Sequence, residues 1–144
     1  MENFVPSLKI ADILLTKTLD NLTGQINKNL TSNQVVVLLY LYEHLNKVNK
    51  QVDIEKNLKI SHSTTRGIIK RLIKLGFVKT KPIPTDRRQI QVVLSTGGLK
   101  LLEENKQKFE NIINTTLTKA TKGLSSEDIQ TLQRINQQII NNLQ

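Results

Sequence analysis

The sequence predicts a mainly α-helical fold that carries one small β-hairpin. Apolar residues recur every three or four positions towards both ends of the chain, which is the spacing of one helix face. Two short segments, 77–81 and 89–94, have the composition of strands, and they enclose residues 82–88, which contain two prolines. The segments are therefore expected to form an antiparallel hairpin with a loop over 82–88, because two prolines do not fit inside paired strands.

Start and stop signals predict six helices along the chain. Thr31 and Gln34 have the spacing of a capping box and favour a helix over the valine-rich segment that follows, although its composition alone also fits a strand. Ser61 is a good N-cap, Gly76 ends the helix that Ser61 begins, and Gly123 separates the last two helices. The predicted helices cover about residues 4–28, 30–45, 50–57, 61–75, 95–122 and 126–143.

The net charge of +9 is concentrated in the middle of the chain. Residues 50–90 carry eleven Lys or Arg and only three Asp or Glu, so this window holds nearly all of the excess positive charge. A polyanion such as DNA or RNA is the natural partner for a surface of this kind.

Composition argues against several classes of function. The chain has no cysteine, so disulfides, zinc fingers, iron–sulfur clusters and thiol-based redox sensing are not expected. The two histidines, His44 and His62, are too few and too far apart for a metal site, and no cofactor is expected. The sequence contains no nucleophile–base pair, paired acidic cluster or glycine-rich phosphate loop, so an enzyme is not expected either.

The sequence does not predict a membrane protein. It contains no run of 18 apolar residues that would span a bilayer. Residues 1–4 lack the basic start and the apolar core of a signal peptide, so a cytoplasmic location is expected.

The helices over 50–57 and 61–75, followed by the hairpin, form the arrangement of a winged helix-turn-helix. In this arrangement the second helix of the pair enters the major groove of DNA. On a helical wheel, the face expected to be buried holds Thr65, Ile68, Ile69 and Leu72. The opposite face offers donors for base edges and phosphates. The residues expected to meet DNA are Ser61, His62, Ser63, Thr64, Arg66, Gly67, Lys70 and Lys74.

Alternative interpretations remain open for this face. Gly67 lowers helix propensity by about 1 kcal/mol relative to Ala, which is explained if another molecule approaches closely there. His62 fits a solvated or capping histidine as well as a base contact. The alternative for the whole face is an ordinary solvated helix surface, but no acidic residue occurs between Ser61 and Lys81.

The tip of the predicted hairpin carries Asp86, Arg87 and Arg88. Arginine suits a narrow minor groove, where the negative potential of DNA is focused. An adjacent aspartate can brace one guanidinium in a fixed orientation, so Asp86 is expected to hold an arginine side chain. An ordinary polar turn is the alternative interpretation.

Five successive motifs in the middle region together make up a recognisable pattern. They are Leu30-Thr31…Gln34, Ile54…Leu58-Lys59-Ile60-Ser61, Ser63-Thr64…Leu72…Gly76-Phe77-Val78, Asp86-Arg87-Arg88 and Leu94-Ser95-Thr96…Gly98. Over about residues 30–98 the chain thereby resembles the multiple-antibiotic-resistance regulator (MarR) family. The wing segment followed by Leu94-Ser95 and Gly98 is the more specific part of the resemblance, and the helix-turn-helix part is less specific.

The resemblance implies an obligate homodimer, joined through the N-terminal helix and the last two helices, that binds a pseudo-palindromic operator in double-stranded DNA. It also implies a small, often aromatic or phenolic effector that releases the DNA. Asp86 and Arg88 match the family's wing pair, with an arginine in the minor groove. Two positions depart from the pattern: Glu55 stands where a small residue is usual, and Lys50 where a Ser or Thr cap is usual, with Asn49 as the nearer cap candidate.

The expected fold is thus a winged helix-turn-helix domain (30–98) between an N-terminal dimerisation helix (1–29) and C-terminal dimerisation helices (99–144). The expected function is sequence-specific transcription regulation, with repression favoured over activation. The alternative is a winged-helix module for RNA or protein contact without ligand control, although aromatic residues at 3% leave no stacking platform for single strands. Near the first, second and fifth helices, Tyr40 and Tyr42 are candidate ligand contacts, with core packing as their alternative role.

Overall fold

The computed structural model of the protein describes residues 3–144, so the part of the signal-peptide expectation that concerns Met1 and Glu2 lies outside the described residues. The predicted fold class is confirmed, since six helices and one antiparallel hairpin follow in the predicted order. No helix within residues 3–144 is long and apolar enough to cross a membrane. The elements are α1 (Phe4–Ile26), α2 (Ser32–Glu43), α3 (Gln51–Leu58), α4 (His62–Lys74), β1 (Val78–Ile83), β2 (Asp86–Leu94), α5 (Thr96–Ala120) and α6 (Ser126–Leu143).

The predicted loop over residues 82–88 was wrong, because the strands extend almost to the end of the hairpin. Pro82 pairs with Ile90 inside the sheet, and only residues 84–85 connect the strands. A two-stranded sheet has no central strand, so a proline nitrogen without a hydrogen is tolerated on either strand. The register shifts after Pro82, since Ile83 pairs with Asp86. Residues 87–89 are therefore extra residues of β2 that bulge at the tip.

Helix α2 lies at the centre of the core. Its predicted capping box is present: the Thr31 hydroxyl accepts the Gln34 backbone N–H at 3.4 Å, and the Gln34 side chain accepts the Thr31 N–H at 3.0 Å. This cap resolves the choice between helix and strand for the valine-rich segment. Val37, Leu38 and Leu41 of α2 are essentially inaccessible to solvent, and they belong to one core with residues from α3, α4, both strands and α5.

Local caps set the turn between α3 and α4. Asp53 accepts the backbone N–H of Lys50 at 2.9 Å, so an acidic residue in the first turn of α3 compensates for the missing Ser or Thr cap. Ser61 caps α4 as predicted, accepting the Thr64 N–H at 3.2 Å. Gly76 has a φ of +81° just beyond α4, as expected for the glycine that terminates a helix.

The start of α5 is fixed against the end of α4 by a close backbone approach. The Ser95 hydroxyl donates to the Gly76 carbonyl at 2.6 Å and accepts the Gly98 N–H at 3.0 Å. A Cβ at residue 98 would overlap the Phe77 carbonyl oxygen. Gly98 is therefore required by packing, whereas a Cβ at Gly67 would meet no atom within 4 Å.

We expect Gly98→Ala and Gly67→Ala to change stability in opposite directions. Gly98→Ala should destabilise the protein by about 2 kcal/mol or more, because backbone atoms must move to make room. Gly67→Ala should stabilise it by roughly 0.5–1 kcal/mol, because alanine favours a helix interior. Urea denaturation of both variants at one fixed protein concentration measures the difference. Equal midpoints for Gly98→Ala and the wild type would contradict the packing described.

Candidate nucleic-acid interface

Helix α4 presents one apolar face inward and one polar face outward. The predicted buried residues Thr65, Ile68, Ile69 and Leu72 are all buried. Thr65 is accommodated in the core because its hydroxyl donates to the Ser61 carbonyl at 2.9 Å. Among the residues predicted to face outward, Gly67 is half-buried. The others are exposed, namely Ser61, His62, Ser63, Thr64, Arg66, Lys70 and Lys74.

The outward face of α4 is positively charged and contains no acidic residue. Among residues 3–144, none of the cations Arg66, Lys70 and Lys74 lies within 4 Å of a carboxylate. Their side chains are therefore available to an external anion. The pattern of charge needed for phosphate contacts is thus present on the helix surface itself.

Arg71 is an exposed cation that the sequence interpretation did not include. It lines a polar cleft of about 340 Å³ together with Gly67 of α4 and with Thr31 and Asn33 near the start of α2. Arg71 follows Gly67 by four residues, so helical spacing alone would have placed it at the edge of the same face. The candidate surface is therefore wider than predicted and reaches the N-terminal end of α2.

The tip of the hairpin is organised around Asp86, but not in the predicted manner. The Asp86 carboxylate accepts the backbone N–H of Arg88 at 3.1 Å and the side-chain amide of Gln89 at 3.0 Å. It makes no ion pair with either guanidinium, so the expected brace between Asp86 and an arginine side chain was wrong. Asp86 instead fixes the backbone of the bulge, and Arg87 and Arg88 remain exposed. These two hydrogen bonds lower the pKa of the Asp86 carboxyl.

On the outward face of α4, His62 has a hydrogen-bond partner on the preceding helix. Its Nδ1 atom lies 2.8 Å from Oε1 of Glu55, which belongs to α3. Glu55 is one of the two positions where the sequence departs from the family pattern that it resembles. The pairing could not be read from sequence, since the two residues are seven apart and lie on different helices.

Comparison with known proteins agrees with this arrangement. A model of the MarR family matches residues 28–89, from the end of α1 to the hairpin tip. The chain is 36% identical over 74 residues to the HTH-type transcriptional repressor NicR of Pseudomonas putida, covering 51% of this chain and 46% of NicR. The chain spans about half the length of the curated relatives that it matches.

The fold matches solved structures over nearly the whole chain. A mutant of MarR from E. coli, complexed with operator DNA, superposes with a TM-score of 0.80 at 20% identity, covering 95% of this chain and 96% of that one. BpsR of Bordetella bronchiseptica, described as regulated in its DNA binding by 6-hydroxynicotinic acid, superposes with a TM-score of 0.75 at 26% identity, covering 92% and 89%. The family model, the relatives and the fold agree. Over residues 28–89 the chain is therefore similar to the MarR family.

The protein contains an apolar cavity of about 80 Å³ between α1, α2 and α5. Leu19, Val35 and Phe109 line it from the three helices. Neither Tyr40 nor Tyr42 is among its lining residues, so the structure gives no support to the tyrosines as contacts of a ligand there.

The two tyrosines pack as side chains of the core instead. Tyr40 is buried and stacks on His44 with ring centroids 4.2 Å apart, and its hydroxyl accepts a hydrogen bond from Asn57 at 3.3 Å. Burial raises the pKa of the Tyr40 hydroxyl. Tyr42 is partly buried against the same core. Within residues 3–144 no group of three or more His, Asp or Glu is arranged to hold a metal ion.

The hydrogen bonds of Asp86 predict a pH-dependent wing tip. A carboxyl whose pKa is lowered in the folded protein makes its contribution above its unfolded pKa and loses it as the pH falls through the lowered value. We therefore expect the Arg88 amide signal to be constant near neutral pH and to shift only in the acidic range below the usual Asp pKa of about 3.9. An NMR titration of backbone amides measures this shift.

Asp86→Ala should abolish the Arg88 titration and speed the exchange of its amide proton. Asp128→Ala is the matched control, because Asp128 also has a lowered pKa from cap hydrogen bonds but lies in α6. An Arg88 amide that titrates equally in Asp86→Ala would contradict the described bulge.

Proposed function

We propose that the protein is a sequence-specific transcription regulator, a repressor that binds a pseudo-palindromic operator in double-stranded DNA as a homodimer. The observation that carries this proposal is the outward face of α4, where Arg66, Lys70 and Lys74 have no acidic partner among residues 3–144 while the opposite face is locked into the core. The name of the relative NicR, a transcriptional repressor, and the fold shared with a MarR–operator complex support the same function.

The two DNA-reading elements have different roles in this proposal. Arg66 lies on α4, which enters the major groove, where all four base pairs are distinguishable. Ser61, Ser63, Thr64, Lys70 and Lys74 extend the contacts to base edges and phosphates. Arg87 and Arg88 lie on the wing, where arginine favours a narrow minor groove. Asp86 acts through the backbone of the bulge, and Gly67 allows close approach of the duplex.

The proposed homodimer explains the apolar faces that one chain leaves uncovered. Helix α6 has no buried residue in the single chain, although Leu132, Ile135 and Ile139 follow one another at helical spacing. In α1 only Thr23 is buried, while Phe4 and Leu8 are among its exposed apolar residues. We propose that residues 1–29 and 99–144 form the dimer interface and that residues 30–98 form the DNA-binding domain.

We further propose a small aromatic or phenolic effector that releases the DNA. The support is the apolar cavity between α1, α2 and α5, together with the ligand control described for BpsR. At about 80 Å³ the cavity is smaller than the roughly 300 Å³ of ordinary ligand pockets, so binding requires these helices to separate. Separation of α1 from α2 would move the DNA-binding domain relative to the dimer interface.

The relative NicR is named as a transcriptional repressor. We propose accordingly that this protein has no catalytic activity and acts by binding alone. A regulator of bacterial operators works where the chromosome lies, so we also propose a cytoplasmic location.

Sedimentation tests the dimer. At micromolar concentration we expect about twice the chain mass of 16.4 kDa, because the exposed faces of α1 and α6 need a partner. Ile135→Lys should shift the protein towards the monomer, since a charge is then placed in the middle of the α6 stripe. Lys56→Glu, a change of charge at an exposed position of α3 outside both proposed dimerisation segments, is not expected to change the mass. A clean wild-type monomer would contradict the proposed assembly.

The arginines test the DNA-binding function. Arg66→Ala should lose about 1–3 kcal/mol on the operator and much less on a random duplex, because a base contact is removed. Arg88→Ala should weaken binding to both and should relax any preference for A·T-rich flanks. Titrations of each variant against the operator, a flank-swapped operator and a random duplex measure these differences.

Lys106→Ala is the control for net charge, since it removes one exposed positive charge from α5, away from α4 and the wing. Circular dichroism must show that every variant is folded. If Arg88→Ala binds all three duplexes like the wild type, the wing does not contribute to DNA binding. Equal losses for Arg66→Ala on operator and random DNA would make Arg66 a phosphate contact.

A further inference from the structure

A hydrogen-bonded group of three side chains connects α3 with the first residue of α4. His62 Nδ1 lies 2.8 Å from Glu55 Oε1, and Gln51 Nε2 donates to the same oxygen at 2.8 Å. Glu55 is largely shielded, with 18% of its side chain exposed, whereas His62 is 71% exposed. Glu55 is therefore held in place within the group. The imidazole of His62, at the start of the proposed recognition helix, remains open to solvent.

The contact with Glu55 determines which nitrogen of His62 carries the proton. A carboxylate can only accept hydrogen bonds, so Nδ1 must be the donor in the 2.8 Å contact. Gln51 Nε2 also lies 3.3 Å from Nδ1, but both atoms are donors. Gln51 therefore donates its hydrogen bond only to the Glu55 carboxylate. In the uncharged ring, the other nitrogen, Nε2, is then left as a hydrogen-bond acceptor.

Few groups on DNA can donate a hydrogen bond to an acceptor at this position. Phosphate oxygens only accept hydrogen bonds, and so do the major-groove N7 and O6 atoms of guanine. The major-groove donors are the N6 amino group of adenine and the N4 amino group of cytosine. The cations Arg66, Lys70 and Lys74 are donors only, so none of them can recognise an amino group.

We propose that Glu55 is a specificity-determining positioning residue for His62. It holds the proton on Nδ1 so that Nε2 accepts a hydrogen bond from the amino group of adenine or cytosine in the major groove. Residues at the N-terminal end of a recognition helix are those that contact base edges, which is where His62 lies. The inference rests on the proposed DNA-binding function and assigns to residue 55, where a small side chain is usual, a role in reading sequence.

The tautomer is measured in the free protein by long-range ¹H–¹⁵N NMR of the imidazole at about pH 8, where histidine is ordinarily uncharged. The wild type should carry the proton on Nδ1. Glu55→Gln should keep this tautomer, because its amide oxygen still accepts, and Gln51→Ala should keep it too. Glu55→Ala should release the ring to a mixture of tautomers. A wild-type proton on Nε2 would overturn the proposal.

The sequence preference is measured by selection of duplexes from a random pool, followed by sequencing. At one symmetry-related pair of positions, the wild type should favour adenine or cytosine over the other bases by about fivefold or more. His62→Ala and Glu55→Ala should reduce this preference to less than about twofold at that position only, and Glu55→Gln should retain it. Alanine is a good helix former, so Glu55→Ala is expected to fold, and circular dichroism checks this.

The outcomes separate this inference from the function on which it rests. Selection of a specific operator by the wild type, with an unchanged profile in Glu55→Ala, would overturn the role of Glu55 and leave the DNA-binding function standing. A preference for guanine at the position that depends on His62 would mean that Nε2 donates, and it would also overturn the proposal. Failure of the wild type to select any sequence would contradict the DNA-binding function itself, whatever the tautomer.

Discussion

The packing of α4 against α2 is the constraint on which the candidate DNA-binding surface depends. Ile68, Ile69 and Leu72 are buried in the core that α2 organises, and the loss of one such side chain typically costs about 2–5 kcal/mol. A helix locked on one face cannot rotate about its axis, so its other face is fixed as well. The positions of Arg66, Lys70 and Lys74 therefore follow from buried apolar residues on the other face, since the core determines which side chains point outward.

The same core also determines how the wing is attached. Ser95 and Gly98 hold the first turn of α5 against the backbone at Gly76 and Phe77, which directly follow α4. On the other side, the Asn49 carbonyl accepts the Val92 N–H at 2.7 Å, which ties the segment before α3 to β2. Only the tip of the hairpin lacks such contacts, and there the hydrogen bonds of Asp86 hold the backbone in place. The hairpin thus combines a base fixed to the core with a tip whose arginines stay accessible to solvent.

The helices at the two ends of the chain, α1 and α6, expose more apolar surface than one chain covers. Helix α6 buries nothing in the single chain, and α1 buries only Thr23. Asp20 connects α1 with the start of α2, accepting the backbone N–H and the hydroxyl of Ser32 at 2.7 and 2.6 Å. If α1 forms the dimer interface, its contact with Ser32 and the packing of α2 on α4 would set the distance between the two α4 helices of the dimer. Ser32 also lines the apolar cavity, so a ligand there would act close to this connection.

Much of the fold was determined by the sequence itself, because its signals are local. Helical spacing separates Thr65 and Leu72 from Arg66 and Lys70, and caps at Thr31 and Ser61 fix helix starts within a few residues. Tertiary structure alone decided the features that join distant segments. Pro82 lies in a paired strand because the sheet has only two strands, and Asp86 binds the backbone because a register shift folds residues 87–89 around it. The Glu55–His62 pair and the packing of Tyr40 likewise depend on how separate elements approach, since no periodicity or spacing along one element encodes a contact between two.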